Sequence, residues 1–227
     1  MTARVLVVED DPLIAGAIVD ALAADGHSTR AASSMTAAQL AAGDWEPELV
    51  VLDLGLPDGD GIALCRHLRA GDPRVRIVIV TARDDDIDVI VGLDAGANDY
   101  VTKPFAVPVL QARIRAQLRP APLDAAAPIA VGALLIEPAA HRASLDGIEL
   151  DLRPREFAVL HLLARDRGRV VTHERILTEL WGASWDRSAR KSLETHMHSL
   201  RRKLHSPTQA TNWITTVRGV GYRFIAP

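Results

Sequence analysis

Four short, strongly apolar runs in the first half of the chain constrain its fold more than any other feature. Segments with the hydrophobic period of an α-helix separate them, and the runs are 5–8, 49–52, 75–80 and 100–101. Strands that are apolar on both faces are typical of a parallel sheet with a layer of helices on each side. Strand and helix alternate five times, so the sequence predicts a doubly wound α/β domain with a five-stranded parallel sheet.

Polar residues follow these runs where each strand is expected to end. They are Glu9, Asp10, Asp53, Thr81 and Lys103. Because the carboxyl ends of parallel strands share one edge of a sheet, we expect these side chains to converge at a single site. Clustered carboxylates bind a hard cation such as Mg²⁺, and a lysine can neutralise an incoming phosphoryl group. The pattern therefore predicts a carboxylate nucleophile that is assisted by a metal ion.

The second half of the chain has a different rhythm. Segment 119–128 contains three prolines, so it is predicted to be a flexible linker between a first domain, 1–118, and a second domain, 129–227. Short β segments, three amphipathic helices and a closing hairpin are typical of a small α+β domain. We predict β segments at Ile129–Ile136, His141–Leu145 and Ile148–Leu150, helices at Pro154–Arg165, Thr172–Trp181 and Ala189–Leu204, and a hairpin at Trp213–Phe224.

Charge is divided unevenly between the two halves. Residues 1–120 hold 11 basic and 18 acidic side chains, a net charge of −7, whereas 121–227 hold 15 and 11, a net charge of +4. An acidic half suits a cation site and a basic half suits a polyanion. No apolar run approaches the ~18 residues that a membrane span requires, and the N-terminus lacks the pattern of a signal peptide. We therefore expect a cytoplasmic protein without a membrane partner.

The polar residues at the strand ends carry a resemblance to a known family. Glu9, Asp10, Asp53, Thr81 and Lys103, with the segments Asp53–Gly61 and Gly96–Phe105, resemble the flavodoxin-like receiver domain of two-component response regulators. The resemblance covers essentially all of 1–120. It implies that Asp53 accepts a phosphoryl group from the phosphohistidine of a sensor histidine kinase.

The resemblance also implies a metal site. Asp10, Asp53 and the backbone carbonyl of Gly55 are expected to bind Mg²⁺ directly, and Glu9 is expected to hold the ion through water. Asp11, the third acid of the run, is instead expected to cap the first helix.

Three further residues receive roles from the same resemblance. Thr81 and Lys103 are expected to contact phosphoryl oxygens, and the peptide bond between Lys103 and Pro104 is expected to be cis. Thr81 and Tyr100 are the expected switch pair, with Tyr100 turning inward once Asp53 is phosphorylated.

Other classes of protein share parts of this pattern. A flavodoxin-like nucleotide-binding protein needs a glycine-rich phosphate loop after the first strand, where this chain has Glu9-Asp10-Asp11. An aspartyl phosphatase would have a second aspartate in place of Gly55. An enzyme for a small phosphorylated substrate would need a second catalytic constellation. The alternative that stays open is a phosphorylation-independent DNA-binding regulator whose receiver is only a dimerisation or interaction module.

The second half resembles the winged-helix effector domain of OmpR/PhoB-type transcriptional regulators. The resemblance rests on Leu152–Phe157, Leu180–Gly182, His196–Leu204 and Thr216–Phe224. It implies binding to double-stranded promoter DNA with tandem half-sites, the third helix in the major groove and the terminal hairpin, or wing, in the minor groove.

Candidate DNA contacts follow by position. Leu193, Met197, Leu200 and Leu204 recur at the spacing of a buried stripe, which leaves the other faces of the helix for DNA. The expected phosphate contacts are Lys191, Ser192 and Arg201, the expected base-facing residues are Glu194, His198 and Ser199, and the expected minor-groove probe is Arg218.

Phosphorylation is expected to produce a homodimer. Receivers of this family pair through the fourth helix, fifth strand and fifth helix, and commonly form an intermolecular ion pair where this chain has Val89 and Val109. Two valines predict an apolar patch instead, with charged contacts from Asp99, Arg115 and Arg119. RNA polymerase is a further expected partner.

Overall fold

The computed structural model describes residues 2–119, 127–183, 185–205 and 212–225. Two compact units make up the chain: the first contains Met1–Leu118 and Ser184–Ser192, and the second contains Arg119–Ala183 and Leu193–Pro227. Most of the predicted linker, 120–126, lies outside the described residues. Within the described part of the chain, no helix is both long and apolar enough to cross a membrane.

The first unit contains the predicted five-stranded parallel sheet. Its strands lie in the order β2-β1-β3-β4-β5, which is the doubly wound arrangement. The strands are β1 (Arg4–Val8), β2 (Ser28–Ala32), β3 (Leu49–Leu52), β4 (Arg76–Thr81) and β5 (Asp99–Thr102). The helices are α1 (Pro12–Ala24), α2 (Met35–Trp45), α3 (Gly61–Gly71), α4 (Asp86–Asp94) and α5 (Val107–Leu118).

Both faces of this sheet are covered, as the continuous apolar runs predict. Side chains of β1, β3, β4 and β5 alternate between two core clusters, because successive residues of a strand point to opposite faces. One cluster joins Leu6, Val50 and Ile77 to Leu64 of α3 and Leu93 of α4. The other cluster is formed by Val7, Val51 and Val78 with Ile18 of α1 and Ile114 of α5. The fold class predicted for this half is therefore confirmed.

The second unit begins with a four-stranded antiparallel sheet. Its strands are β6 (Ile129–Val131), β7 (Leu134–Glu137), β8 (Arg142–Leu145) and β9 (Ile148–Glu149), in sequence order. The run predicted as one β segment from Ile129 to Ile136 is two strands, since the chain turns at Gly132 with a φ of 56°. That left-handed conformation is one that glycine adopts readily.

Three helices and a second sheet follow along the chain, and the third helix begins among the residues of the first unit and continues into the second from Leu193. The helices are α6 (Pro154–Arg165), α7 (His173–Trp181) and α8 (Arg187–Lys203), and Thr172 caps α7 by accepting a hydrogen bond from Arg175 N at 3.2 Å. The sheet has the order β10-β12-β11, with β10 (Val170–Thr172), β11 (Ile214–Val217) and β12 (Gly221–Phe224).

Strand β10 was not predicted, because three residues give no periodic signal and their partner lies far along the chain. Gly221 explains how closely β10 approaches β12. A Cβ atom there would lie 2.0 Å from the carbonyl oxygen of Val171.

A buried ion pair joins α6 to α8 in the second unit. The Glu156 side chain is fully buried, and its Oε2 accepts hydrogen bonds from Lys203 Nζ at 2.6 Å and from Arg153 N at 2.9 Å. Burial alone would raise the pKa of Glu156, but these hydrogen bonds outweigh it and hold the pKa below its usual range. The carboxylate therefore stays charged inside the domain and fixes α8 against α6.

Replacing Glu156 by alanine should lower the free energy of unfolding of the second unit by about 3 kcal/mol, because the ammonium group of Lys203 loses its buried partner. Urea unfolding followed by tryptophan fluorescence would measure this, since three of the four tryptophans lie in 129–227. Glu149→Ala, at an exposed position on β9, is the control and should change stability by less than about 0.5 kcal/mol.

The effect should depend on pH in one direction. Because the folded-state pKa of Glu156 is depressed, its contribution is complete above the ordinary value of 4.5 and is lost as the pH falls through the folded pKa. A difference between wild type and Glu156→Ala that grew with acid would contradict the ion-pair account.

Candidate functional site

The predicted polar residues meet at the carboxyl edge of the parallel sheet. Asp53 follows the central strand β3, which pairs with β1 on one side and β4 on the other. Glu9 follows β1, Thr81 ends β4, and Lys103 follows β5. The strand order therefore places Asp53 in the middle of the group.

Lys103 connects the acids. Its Nζ donates hydrogen bonds to Asp53 Oδ2 at 2.7 Å and to both oxygens of Glu9, at 2.8 and 3.0 Å. The side chain of Lys103 is only 17% exposed, which strengthens its attraction to the two carboxylates. The Lys103–Pro104 peptide is cis, as predicted.

Three carboxylates form a group that suits a metal ion. One oxygen each from Glu9, Asp10 and Asp53 lies within 4.8 Å of the others, and Asp10 is the exposed member. Carboxylate oxygens are the ligands that Mg²⁺ prefers, and Mg²⁺ retains several waters, so an opening to solvent at Asp10 fits that ion. Asp11 takes no part in the group, because its Oδ1 caps α1 by accepting hydrogen bonds from the N–H groups of Leu13 and Ile14, as predicted.

The electrostatics of the site keep Asp53 ionised. Burial would raise the pKa of Asp53, but hydrogen bonds from Lys103, from the N–H of Gly55 and from Thr81 outweigh burial and lower it. Burial raises the pKa of Glu9, with the hydrogen bond from Lys103 opposing the shift. The pKa of Lys103, which burial would lower, is raised by its bonds to Asp53 and Glu9. Asp53 is therefore an anion at neutral pH and Lys103 a cation.

Gly55 lies beside Asp53, as predicted, whereas Tyr100 has a different orientation from the one expected before phosphorylation. Gly55 N donates to Asp53 Oδ1 at 3.1 Å, so the predicted metal-binding residue lies beside Asp53. Tyr100 is fully buried, and its hydroxyl donates to the carbonyl of Arg83 at 2.9 Å. Its ring therefore already has the inward orientation that was expected only after phosphorylation.

The prediction that Val89 belongs to a surface patch is wrong. Val89 is 1% exposed and packs in the core cluster with Leu93 and Tyr100, because α4 turns positions 89, 92 and 93 toward the sheet. Gly92 permits this close packing, since a Cβ atom there would lie 2.9 Å from the Tyr100 ring. The exposed apolar residues of α4 are instead Ile87, Ile90 and Val91, at 75%, 45% and 36%.

The charged residues predicted for the dimer surface also have partners within the chain. Asp99 is fully buried and accepts from Arg113 NH1 at 3.1 Å, and Arg113 is equally buried. Sequence reasoning missed Arg113, because only the packing of α5 against β5 identifies its partner. Arg115 pairs with Asp25 at 2.7 Å. Arg119 is exposed and Val109 is partly exposed.

The exposed residues of α8 include two of the three that were predicted to face the bases. Glu194 and His198 are exposed, as expected of base-facing residues, whereas Ser199 is only 3% exposed. Ser199 lies beside Glu156 and contributes to its lowered pKa, so the prediction that Ser199 faces the bases is wrong. The exposed positions that continue the stripe of Glu194 and His198 at helical spacing are Arg190 and Arg202, which sequence reasoning missed.

Of the three predicted phosphate contacts, one is buried and two are partly exposed. Ser192 is fully buried, which contradicts its predicted contact, and Lys191 is partly exposed. Arg201 donates to the carbonyl of Ile214 at 3.2 Å and to Thr216 Oγ1 at 2.7 Å. Its guanidinium group therefore fastens α8 to the terminal hairpin.

Arg218 lies at the exposed tip of this hairpin, in the turn between β11 and β12. Gly219 follows it with a φ of 73°, a value that suits the turn because glycine lacks a Cβ atom. Arg218 is therefore exposed in the turn of the hairpin, at the tip where the resemblance places it.

Two family models match the chain. One is described as a response regulator receiver domain and matches residues 5–115. The other, described as the C-terminal domain of transcriptional regulatory proteins, matches residues 147–224.

Similar proteins match over the whole length. The chain is 39% identical to the DNA-binding response regulator MtrA of Mycolicibacterium smegmatis, over 98% of this chain and 97% of that protein. It is 38% identical to the response regulator protein PmrA of Pseudomonas aeruginosa, over 99% of each. The crystal structure of DrrB, described as a Thermotoga maritima OmpR/PhoB homolog, matches with a TM-score of 0.53 and 29% identity, over 99% of this chain and all of that one.

Asp10→Asn should weaken Mg²⁺ binding at least roughly tenfold, because it removes the charge of one of three clustered carboxylates. Calorimetric titration with MgCl₂ would measure the affinity. Asp11→Asn is the matched control: it removes a neighbouring charge while its amide oxygen can still cap α1, so its affinity should stay within about threefold of wild type. Equal losses in the two variants would show that only bulk charge matters.

Proposed function

Because this chain belongs to the OmpR/PhoB family of DNA-binding response regulators, the transcriptional regulators of two-component systems, we propose that phosphoryl transfer to Asp53 controls its binding to promoter DNA. The observation that carries the proposal is the group of Asp53, Lys103 and Thr81 at one sheet edge. The donor is the phosphohistidine of a sensor histidine kinase. The domains that act are 1–118 and 129–227, with 119–128 as the linker.

The chemistry of the transfer follows from the charges at the site. A carboxylate oxygen of Asp53 attacks the phosphorus atom, the phosphorus–nitrogen bond of the donor breaks, and its electron pair returns to the imidazole. Lys103, already 2.7 Å from Asp53, pairs with a phosphoryl oxygen, and the Thr81 hydroxyl donates to another. The chain is thus a phospho-acceptor and transcription factor that reacts with small phosphodonors and slowly hydrolyses its own acyl phosphate.

The carboxylates support Mg²⁺ as the cofactor. Glu9, Asp10, Asp53 and the carbonyl of Gly55 would hold the ion. Bound there, Mg²⁺ would neutralise negative charge on the acids and on the phosphoryl oxygens.

The exposed surface of α8 supports DNA binding. Glu194 and His198 occupy the centre of its exposed stripe and are proposed to face the bases, with Arg190 and Arg202 on either side. Lys191 is proposed to contact a phosphate, and Arg218 to enter an adjacent minor groove. We propose tandem half-sites as the target.

Phosphorylation is further proposed to favour a homodimer. The protein is proposed to act in the cytoplasm, and its dimer is proposed to recruit RNA polymerase. The apolar residues that support pairing are Ile87, Ile90 and Val91 of α4, in place of the predicted Val89. Val109 of α5, which is partly exposed, is a further candidate. Desolvation of these side chains by a second receiver would stabilise the pair with little dependence on salt.

Acetyl phosphate with Mg²⁺ should add one phosphoryl group to the wild-type chain and none to Asp53→Asn, since the amide lacks the nucleophilic oxygen. Intact-mass measurement would detect the group. Asp60→Asn is the matched control in the same loop: Asp60 caps α3 by accepting from Ile62 N at 3.1 Å, and asparagine can keep that bond. Undiminished labelling of Asp53→Asn would exclude Asp53 as the acceptor.

DNA affinity and DNA specificity should separate by residue. Arg218→Gln should flatten the salt dependence of binding by up to about one unit of log–log slope, because it removes one cation from the polyanion. His198→Ala should instead change which sequences are selected from a random library. The lost contact should reduce the difference in binding free energy between the preferred base and the others by about 1–3 kcal/mol.

Arg142→Gln is the control for charge. Arg142 is an exposed residue of β8 that pairs with Glu137 at 3.6 Å, so its removal should leave the salt slope unchanged. A selected motif that is identical for His198→Ala and wild type would disprove the proposed base contact.

A further inference from the structure

Asp58 connects the loop after the phospho-acceptor to the start of α2. Its Oδ1 accepts a hydrogen bond from Met35 N at 2.6 Å, and its Oδ2 accepts from Thr36 N at 2.9 Å and from Thr36 Oγ1 at 2.8 Å. These bonds cross a sequence separation of more than twenty residues, so they hold two distant segments together. We refer to them as the Asp58 clasp.

The clasp completes the capping of α2. Ser34 is the N-cap residue, and its hydroxyl accepts only from Ala37 N, at 3.2 Å. The first two helical N–H groups, those of Met35 and Thr36, would otherwise depend on water. Their bonds hold the pKa of Asp58 below its usual range, so the carboxylate is charged at neutral pH and favours the positive end of the helix dipole.

The clasp is also the outer anchor of the loop that contains Gly55. At the inner end, Asp53 N donates to the carbonyl of Val8 at 2.8 Å, and Leu54 is buried beneath α3. Gly55 itself is exposed and carries no side chain that could fix its backbone. Its peptide is held by its own N–H, which donates to Asp53 Oδ1 at 3.1 Å, and by what fixes the chain on either side of it.

The segment that Asp58 holds is joined in turn to the acidic site. Ala32, at the end of β2, accepts a hydrogen bond from Glu9 N at 3.0 Å, and α2 begins at Met35. Hydrogen bonds therefore link Glu9 to Ala32 and Met35 to Asp58. The backbone connects Ala32 to Met35, and it connects Asp58 back through Gly55 to Asp53. The clasp is the link that joins the loop of Gly55 to α2.

We propose that Asp58 is a positioning residue of the phosphorylation site: by clasping the first turn of α2, it fixes the loop whose Gly55 carbonyl would complete the Mg²⁺ site. The inference rests on the proposed function of Asp53 as the acceptor. Met35 adds to the contact, since a Cβ atom on Gly59 would lie 2.6 Å from the Met35 methyl carbon, so the loop packs directly against α2.

Three variants of the full chain test this proposal. Asp58→Ala removes the clasp, Thr36→Val removes only the hydroxyl bond, and Ser34→Ala weakens the cap of α2 while leaving the clasp intact. The last is the control for a purely structural role, because it destabilises the same helix end without touching the loop.

The first measurement is Mg²⁺ affinity by calorimetry, without a phosphodonor. Asp58→Ala should bind Mg²⁺ roughly tenfold more weakly, Thr36→Val should lie between it and wild type, and Ser34→Ala should match wild type. The second is amide hydrogen exchange of the peptide that spans 53–61, which should accelerate in Asp58→Ala and not in Ser34→Ala. The third is labelling by acetyl phosphate, which saturating Mg²⁺ should restore in Asp58→Ala.

The outcomes separate the two proposals. Wild-type affinity for Mg²⁺ in Asp58→Ala, or an equal loss in Ser34→Ala, would overturn the positioning role while leaving Asp53 as the acceptor. A wild-type chain that acetyl phosphate does not label would overturn the proposed function instead. Asp58→Asn, which keeps one acceptor oxygen, provides a second variant and should retain part of the affinity.

Discussion

The contact of Lys103 with two buried carboxylates is the interaction on which the acidic site depends. Glu9 and Asp53 are 4% and 8% exposed, and two anions so close together in a partly desolvated site repel each other. The ammonium group compensates both, at 2.8 and 2.7 Å. It therefore lets the sheet hold Asp53 as an ionised carboxylate, and it provides a cation beside the proposed phosphoryl acceptor.

The sheet supplies the rigidity that this chemistry requires. Asp53 follows a strand that is hydrogen-bonded on both sides, so the backbone at the acceptor has little freedom. The loop beyond it, which carries the exposed Gly55, is not part of the sheet and is held by the burial of Leu54 and Leu56 and by hydrogen bonds such as that from Gly55 N to Asp53 Oδ1. The Asp58 clasp transfers the stability of α2 to this loop, which is the usual relation between a functional group and the shell that orients it.

In the second unit, a buried ion pair and an arginine with two hydrogen bonds fix the position of the proposed DNA-binding surface. The Glu156–Lys203 pair fixes α8 against α6, and Arg201 fastens α8 to the hairpin. The exposed stripe around His198 and the turn with Arg218 are thereby held on one rigid framework. Direct readout of bases needs such a framework, because hydrogen bonds to base edges tolerate little displacement.

The sequence by itself determined the parallel sheet, the convergence of Glu9, Asp53 and Lys103, and the buried stripe of α8, because these follow from strand period, strand ends and helical spacing. It could not determine which residues next to the buried stripe of a helix are also buried by the neighbouring elements. One residue along a helix is a rotation of about 100°, so the packing of α6 decides that Ser199 is buried, and the packing of α4 decides the same for Val89. Nor could it reveal the Asp99–Arg113 pair or the contact of Asp58 with Met35, since residues distant in sequence become neighbours only when the tertiary structure packs their elements together.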